Sequence, residues 1–193
     1  MVSNSSGFMA GYLAGTFPGR VGWLLSPRGW RKPTEWHVFA LDNGAFTGFD
    51  EKEFFGMLSK LDKLVPYRDP LWVTVPDKLK DREETRRLWD VYSPILRSRL
   101  DCPLAFVVQD GMTPSDVPKS ADLIFVGGSK DWKWDSLEMW TTHFPWVHVG
   151  RVNSPKKLWV CHQYGVASCD GTGWFRGDRT QLEGLWDYLE ATS

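Results

Sequence analysis

From residue 71 onward the chain alternates between short apolar runs and amphipathic segments, and this alternation restricts the fold more than any other property of the sequence. LWVTVPD (71–77), PLAFVVQ (103–109), DLIFVGG (122–128), WVHVGRV (146–152) and VASCD (166–170) read as buried strands. DREETRRLWDVYSPILRSRL (81–100) reads as a helix, with Leu88, Val91, Tyr92, Ile95 and Leu96 near the 3.6 period and Pro94 as a kink. DSLEMWTTHF (135–144) reads as a helix with Asp135 as N-cap. SPKKLWVCHQYG (154–165) is a third, with Ser154 as N-cap, Pro155 in the first position and Gly165 past the end. TQLEGLWDYLEA (180–191) closes the chain as a helix. Upstream, HVFALD (37–42) reads as a strand and DEKEFFGMLSKLDKL (50–64) as a helix. FMAGYL (8–13) and VGWLL (21–25) are read as strands, followed by a polar loop over 26–35 rich in Arg, Trp and Pro.

Nearly continuous apolar strands separated by helices imply a parallel sheet covered by helices. Seven or eight such strands predict an α/β fold, a TIM-type (β/α) barrel with its site at the C-terminal ends of the strands. Such barrels typically need about 250 residues, so a chain of 193 implies a trimmed one, forming a single domain over 1–193. An open, doubly wound sheet is the alternative. No apolar run is long enough to span a bilayer, so no membrane partner is expected. The first residues lack a basic stretch before their apolar part, so no signal peptide is expected. Cys102, Cys161 and Cys169 include no C-x-x-C pair, which argues against a disulfide framework and a zinc knot. A reducing cytoplasm is the expected setting. Trp is abundant, with 12 residues; most are expected in the core, with Trp132, Trp134 and Trp174 as candidates for stacking on bases. The net charge of -1 does not favour nucleic acid, but a local basic patch would suffice.

The strand ends carry the polar residues. Asp42 follows VFAL, Asp77 follows VTVP, Gln109 and Asp110 follow AFVV, Gly127 and Gly128 follow LIFV, Arg151 follows HVG, and Asp170 follows ASC. In a parallel barrel all of these lie on the C-terminal face. Each alone could be a turn former; turn aspartates should scatter between both strand ends, and these do not. No nucleophile elbow, no H-E-x-x-H among His37, His143, His148 and His162, no phosphate loop and no G-x-G-x-x-G is present. His148, inside an apolar strand, reads as a core histidine. What remains is a set of carboxylates with an amide and backbone N–H groups. Two carboxylates can cleave a glycosidic bond, one attacking the anomeric carbon and the other handling the leaving group's proton. An Asp, a Gln and Gly amides suit the edge of a guanine.

LDNGAF (41–46), VPD (75–77), VVQDG (107–111), FVGG (125–128), HVGRVNS (148–154) and GVASCDGTG (165–173) occur in an order that resembles the tRNA-guanine transglycosylase superfamily. Within it, the chain is most similar to the short phage and bacterial branch of DpdA-like DNA 7-deazaguanine transglycosylases. The resemblance implies Asp170 as nucleophile, Asp42 as general acid/base near the purine N9, and Asp77, Gln109 and the Gly127–Gly128 pair as readers of the base, with Asp110 beside them. The turn after Asp42 is Asn43-Gly44-Ala45 where the tRNA enzymes have Ser-Gly-Gly, and their zinc module is missing. The substrate implied is therefore DNA, with a 7-deazaguanine base as the small-molecule partner and no cofactor or metal.

The expected reaction flips a deoxyguanosine into the bowl, since its C1′ is out of reach inside the stack. Asp42 would need a raised pKa to donate a proton, which burial near Asp170 could supply. Lys130, Lys133, Arg151, Arg176 and Arg179 are the candidate phosphate contacts. Two other readings stay open: a nucleoside-cleaving hydrolase with water as second nucleophile, and a non-catalytic nucleic-acid-binding subunit.

Overall fold

The computed structural model describes residues 7–33, 37–64, 69–175 and 179–193. The elements run α1 (Gly7–Thr16), β1 (Gly22–Leu25), β2 (Val38–Leu41), α2 (Glu51–Leu61), β3 (Val73–Thr74), α3 (Arg82–Arg99) and β4 (Leu104–Val108). They continue through β5 (Leu123–Val126), α4 (Lys130–Asp135), α5 (Leu137–His143), β6 (Val147–Val149), α6 (Pro155–Gln163), β7 (Ser168–Cys169) and α7 (Arg179–Ala191). The seven strands form one sheet in chain order, every neighbouring pair parallel. A doubly wound sheet reverses its order at a switch point; this one does not, and it curls into a half-barrel with helices outside.

Side chains alternate across a strand, and the alternation sorts two cores. Leu24, Ala40, Trp72, Ala105 and Leu123, with Phe125 and Trp146 against them, fill the concave side. The other parity, including Phe39, Leu41, Val73, Phe106, Ile124 and Val149, packs under the helices with Phe54 and Leu58 of α2, Leu96 of α3, Trp140 of α5 and Leu158 of α6. Capping fixes where helices begin. Asp50 accepts the Glu53 N–H, Asp81 the Glu84 N–H and Ser154 the Lys157 N–H, each satisfying a donor the first turn leaves free. Pro94 is accommodated inside a continuous α3 with its ring toward solvent.

Three local expectations are corrected. Residues 8–13 are helical, within α1, because Ala10, Leu13, Ala14 and Phe17 make one buried face at helical spacing. Asp135 ends α4 instead of capping the next helix. The break falls at Ser136, whose hydroxyl accepts the Trp140 indole N–H. The run 71–77 keeps only two residues as ladder strand, since Pro76 offers no N–H to continue it.

The first and last helices meet. Tyr12 and Phe17 pack on Trp186 with ring centroids 6.1 and 5.2 Å away, and Arg20 donates to the Thr192 carbonyl at 2.6 Å. β1 and β7 do not pair among the described residues. Between them lies a cavity of about 390 Å³, lined by Gly22, Val38, Ala167, Ser168, Cys169 and Tyr188 among others. No helix among the described residues is long and apolar enough to cross a membrane.

Candidate active site

The concave parity, followed two residues beyond Ala40, Val107, Phe125, His148 and Ser168, arrives at Asp42, Gln109, Gly127, Gly150 and Asp170. The pleat of a parallel sheet therefore aims these positions into one mouth at the C-terminal ends of the strands. The cavity between β1 and β7 is elsewhere: none of these positions lines it.

Asn43 ties two sides of the mouth together. It is buried, and its Nδ2 donates to the Val75 carbonyl and to Asp77 Oδ1, each at 2.8 Å. Its Oδ1 accepts the Ala45 N–H at 2.7 Å, which closes the turn that Gly44 enters with φ +79°. Asp77 Oδ2 accepts from Gln109 Nε2 at 2.7 Å, and Gln109 Oε1 accepts the Lys80 N–H at 3.0 Å. Asp77 and Gln109 are thus brought together as one buried network, with the Gln109 amide partnered at both ends. Burial raises the Asp77 carboxyl to about 6, against the pull of the Asn43 and Gln109 donors.

Asp110 turns away from this network. Its carboxylate accepts the Ser129 N–H at 2.9 Å and the Ser129 hydroxyl at 2.6 Å, pinning the β5 exit loop to the β4 exit loop. The glycines on that loop leave room: a Cβ on Gly127 would sit 3.0 Å from Val107, and one on Gly128, at φ +65°, 2.6 Å from the Trp132 ring.

Asp170 takes two donors on one oxygen. Its Oδ1 lies 3.3 Å from His148 Nε2 and accepts the Arg151 N–H at 3.2 Å. Burial pushes its carboxyl up, but the His148 and Arg151 bonds outweigh that and hold it below the ordinary carboxylate value. His148 is wholly buried, and burial lowers its pKa, so it is a neutral imidazole. Asp42 has the opposite environment. Burial first, then repulsion by Asp170 and Asp77, raises its carboxyl to about 7, against the N–H groups of Gly44 and Asn43. One mouth therefore holds one carboxyl kept ionised and another poised to keep its proton near neutral pH.

The basic candidates separate. Lys133 is 2% exposed and donates Nζ to the Gly150 carbonyl, behind the mouth rather than on the surface. Burial lowers its pKa to about 8. This corrects its expected place among surface phosphate contacts, because a buried ammonium cannot meet a phosphate. Arg151 is exposed, donates Nη2 to the Gly128 carbonyl and lies 5.0 Å from the centre of the Phe46 ring, itself 62% exposed at the rim. Lys130 is exposed at the start of α4, and Arg179 is exposed and paired with Glu183 at 2.6 Å. Arg176 lies outside the described residues. Trp174 is buried in the core, and Trp134 carries Lys157 4.0 Å from its ring centre, so neither presents a free stacking face.

Sequence reasoning missed Asn43, Phe46 and the bond from His148. The histidine does sit in the core, as its apolar neighbours imply, but β6 pairs it with Ser168, two residues before Asp170. Among the described residues, no three or more His, Cys, Asp or Glu side chains come together as metal ligands. No protein-family model and no curated protein sequence matches the chain.

Proposed function

We propose that the protein is a DNA guanine transglycosylase on a trimmed TIM-type barrel, exchanging guanine in DNA for a 7-deazaguanine base. The observation that carries this reading is the meeting of Asp170 and Asp42 at one mouth, the first held below the ordinary carboxylate value and the second raised to about 7. The order of motifs from LDNGAF to GVASCDGTG supports the same reading.

In this mechanism a flipped deoxyguanosine enters the mouth with its base toward Asp77, Gln109 and the Gly127–Gly128 backbone. Asp170 attacks C1′, the C1′–N9 bond breaks, and Asp42 gives its proton to the departing guanine. A sugar ester on Asp170 is left. Burial and the Asp77 charge still raise the Asp42 pKa in the ester, but the Asp170 charge that also raised it is gone, so Asp42 becomes more acidic as it gives up its proton. A 7-deazaguanine then binds, loses its N9 proton to Asp42 and attacks C1′, and Asp170 leaves. Asp170 attacks C1′ from the face opposite the base and the new base enters on the face the guanine left, so two inversions retain configuration. Lys130, Arg151, Arg176 and Arg179 are the candidate contacts to DNA phosphates.

The test is mass spectrometry of nucleosides from DNA incubated with the protein and candidate deazaguanines, with a tRNA in parallel. Appearance of the deaza-nucleoside in DNA is expected. Release of guanine without incorporation would replace this reading by a hydrolase, and modification of tRNA alone would overturn the substrate.

A further inference from the structure

Both bonds that the described residues make to the Asp170 carboxylate fall on Oδ1, from His148 Nε2 and the Arg151 N–H. Gly150 leaves them room: a Cβ there would lie 3.4 Å from Oδ1 and only 2.5 Å from the Phe125 ring. No hydrogen bond from the described residues reaches Oδ2. His148 is itself clamped, its ring centre 4.7 Å from both Trp72 and Phe125, and its Nδ1 is 2.8 Å from Ser168 Oγ.

The protons follow from donor counting. An ionised carboxylate only accepts, so Nε2 must carry the hydrogen. A neutral imidazole has one N–H, so Nδ1 accepts and the Ser168 hydroxyl donates. Ser168 is the direct partner of His148 in the β6–β7 ladder, so sheet register builds the chain Ser168–His148–Asp170.

We propose that Ser168 and His148 are positioning residues that fix the His148 tautomer, occupy Asp170 Oδ1 and leave Oδ2 as the oxygen presented to the mouth. This rests on the reading of Asp170 as the nucleophile and specifies which of its atoms attacks. Among the described residues, the charged and titratable groups facing the pair are Asp42 after β2, Lys133 from α4, Arg151 after β6 and Cys169 in β7. Lys133 and Arg151 favour the Asp170 anion; Asp42 and an ionised Cys169 oppose it. Ser168 and His148 carry no charge, and their effect is directional.

The test needs no turnover. Carboxyl ¹³C shifts of aspartate-labelled protein are titrated, with the Asp170 signal assigned by its loss in Asp170→Asn. The imidazole ¹⁵N shifts of His148 are followed in the same samples. The expected result is a neutral Nε2–H tautomer and an Asp170 midpoint that rises by about one pH unit in His148→Phe. His148→Gln, whose amide can still donate, restores most of that shift, and Ser168→Ala loosens the tautomer while the fold persists. An Nδ1–H tautomer in wild type, or an Asp170 midpoint unmoved in both His148→Phe and Ser168→Ala, would overturn the proposal. If His148→Phe does not fold, Ser168→Ala decides alone: a His148 tautomer unchanged in it counts against the pair. Because these readouts are independent of base exchange, their failure is distinct from failure of the proposed function. Where exchange is measured, His148→Phe is expected to lower kcat by roughly 10²-fold with little change in KM, with partial recovery in His148→Gln.

Discussion

The main-chain N–H of Arg151 reaches Asp170 Oδ1 at 3.2 Å, and Arg151 makes this contact from the left-handed region, with φ +59°. An arginine in that conformation pays on the order of 1 kcal/mol of backbone strain. The loop is held there from two further sides. The Val152 N–H donates to the Asp170 carbonyl at 2.6 Å, and the guanidinium donates to the Gly128 carbonyl.

Comparing Arg151→Gly with Arg151→Ala isolates that strain. Both lose the guanidinium, and only glycine accepts the positive φ freely. Arg151→Gly is expected to be about 1 kcal/mol more stable than Arg151→Ala in urea unfolding. Equal stabilities would mean that the backbone at this position is unstrained.

Asp170→Asn keeps an acceptor for the His148 and Arg151 donors but removes the proposed nucleophile. Base exchange is expected to fall at least ~10³-fold, with the circular dichroism spectrum retained and stability changed by less than ~2 kcal/mol. An Asn variant with near-full exchange would move the nucleophile to Asp42.

The raised carboxyls give stability a pH dependence of definite sign. Asp42 rises from 3.8 to about 7 and Asp77 from 3.8 to about 6 on folding. Between pH 4 and 7 the folded chain holds more protons than the unfolded one, so stability is fully present at the acid end and falls as pH rises. Asp170 works the other way, its contribution being lost as pH falls below the ordinary carboxylate value. The Asp42 effect alone is at most ~4 kcal/mol. Buried His148 and His37 oppose this below their ordinary pKa, so the Asp42 part is read by difference. From pH 5 to pH 8 wild type should lose stability relative to Asp42→Asn in urea unfolding, and an unchanged difference would remove the Asp42 effect.

Asn43 holds the mouth's two sides through three buried bonds. Asn43→Ala is expected to cost about 2–3 kcal/mol in chemical denaturation. Asn43→Asp places a second carboxyl against Asp77 and should cost more at pH 8 than at pH 5. A variant as stable as wild type would show that the loops do not depend on this side chain.

Salt dependence separates exposed from buried cations. If DNA lies over the mouth, Arg151→Ala should flatten the log–log slope of affinity against salt by about 0.9 for duplex or 0.7 for single-stranded DNA. Lys133→Met should leave the slope alone, since its Nζ is spent on the Gly150 carbonyl. A slope changed by Lys133→Met and unchanged by Arg151→Ala would put the nucleic-acid track elsewhere.

The alternation of apolar runs with amphipathic segments was enough to read a parallel, helix-covered sheet, and strand-end position was enough to gather Asp42, Gln109, Gly127 and Asp170 on one face. Ser154, Pro155 and Gly165 marked their helix because capping depends on near neighbours in the chain. The signal in Ala10, Leu13, Ala14 and Phe17 was also present, but a six-residue window of small and apolar residues does not separate a strand from a helix. Other features had no local signature. Lys133 is buried because α4 turns its side chain toward β6. His148 becomes a partner of Asp170 because the register of β6 on β7 sets it beside Ser168. Asp42 is raised to about 7 because the curl of the sheet buries it and brings it near two carboxylates from distant strands. Local pattern reports which way a residue faces; which group it meets depends on register and curvature, and these exist only once the whole sheet has curled around its core.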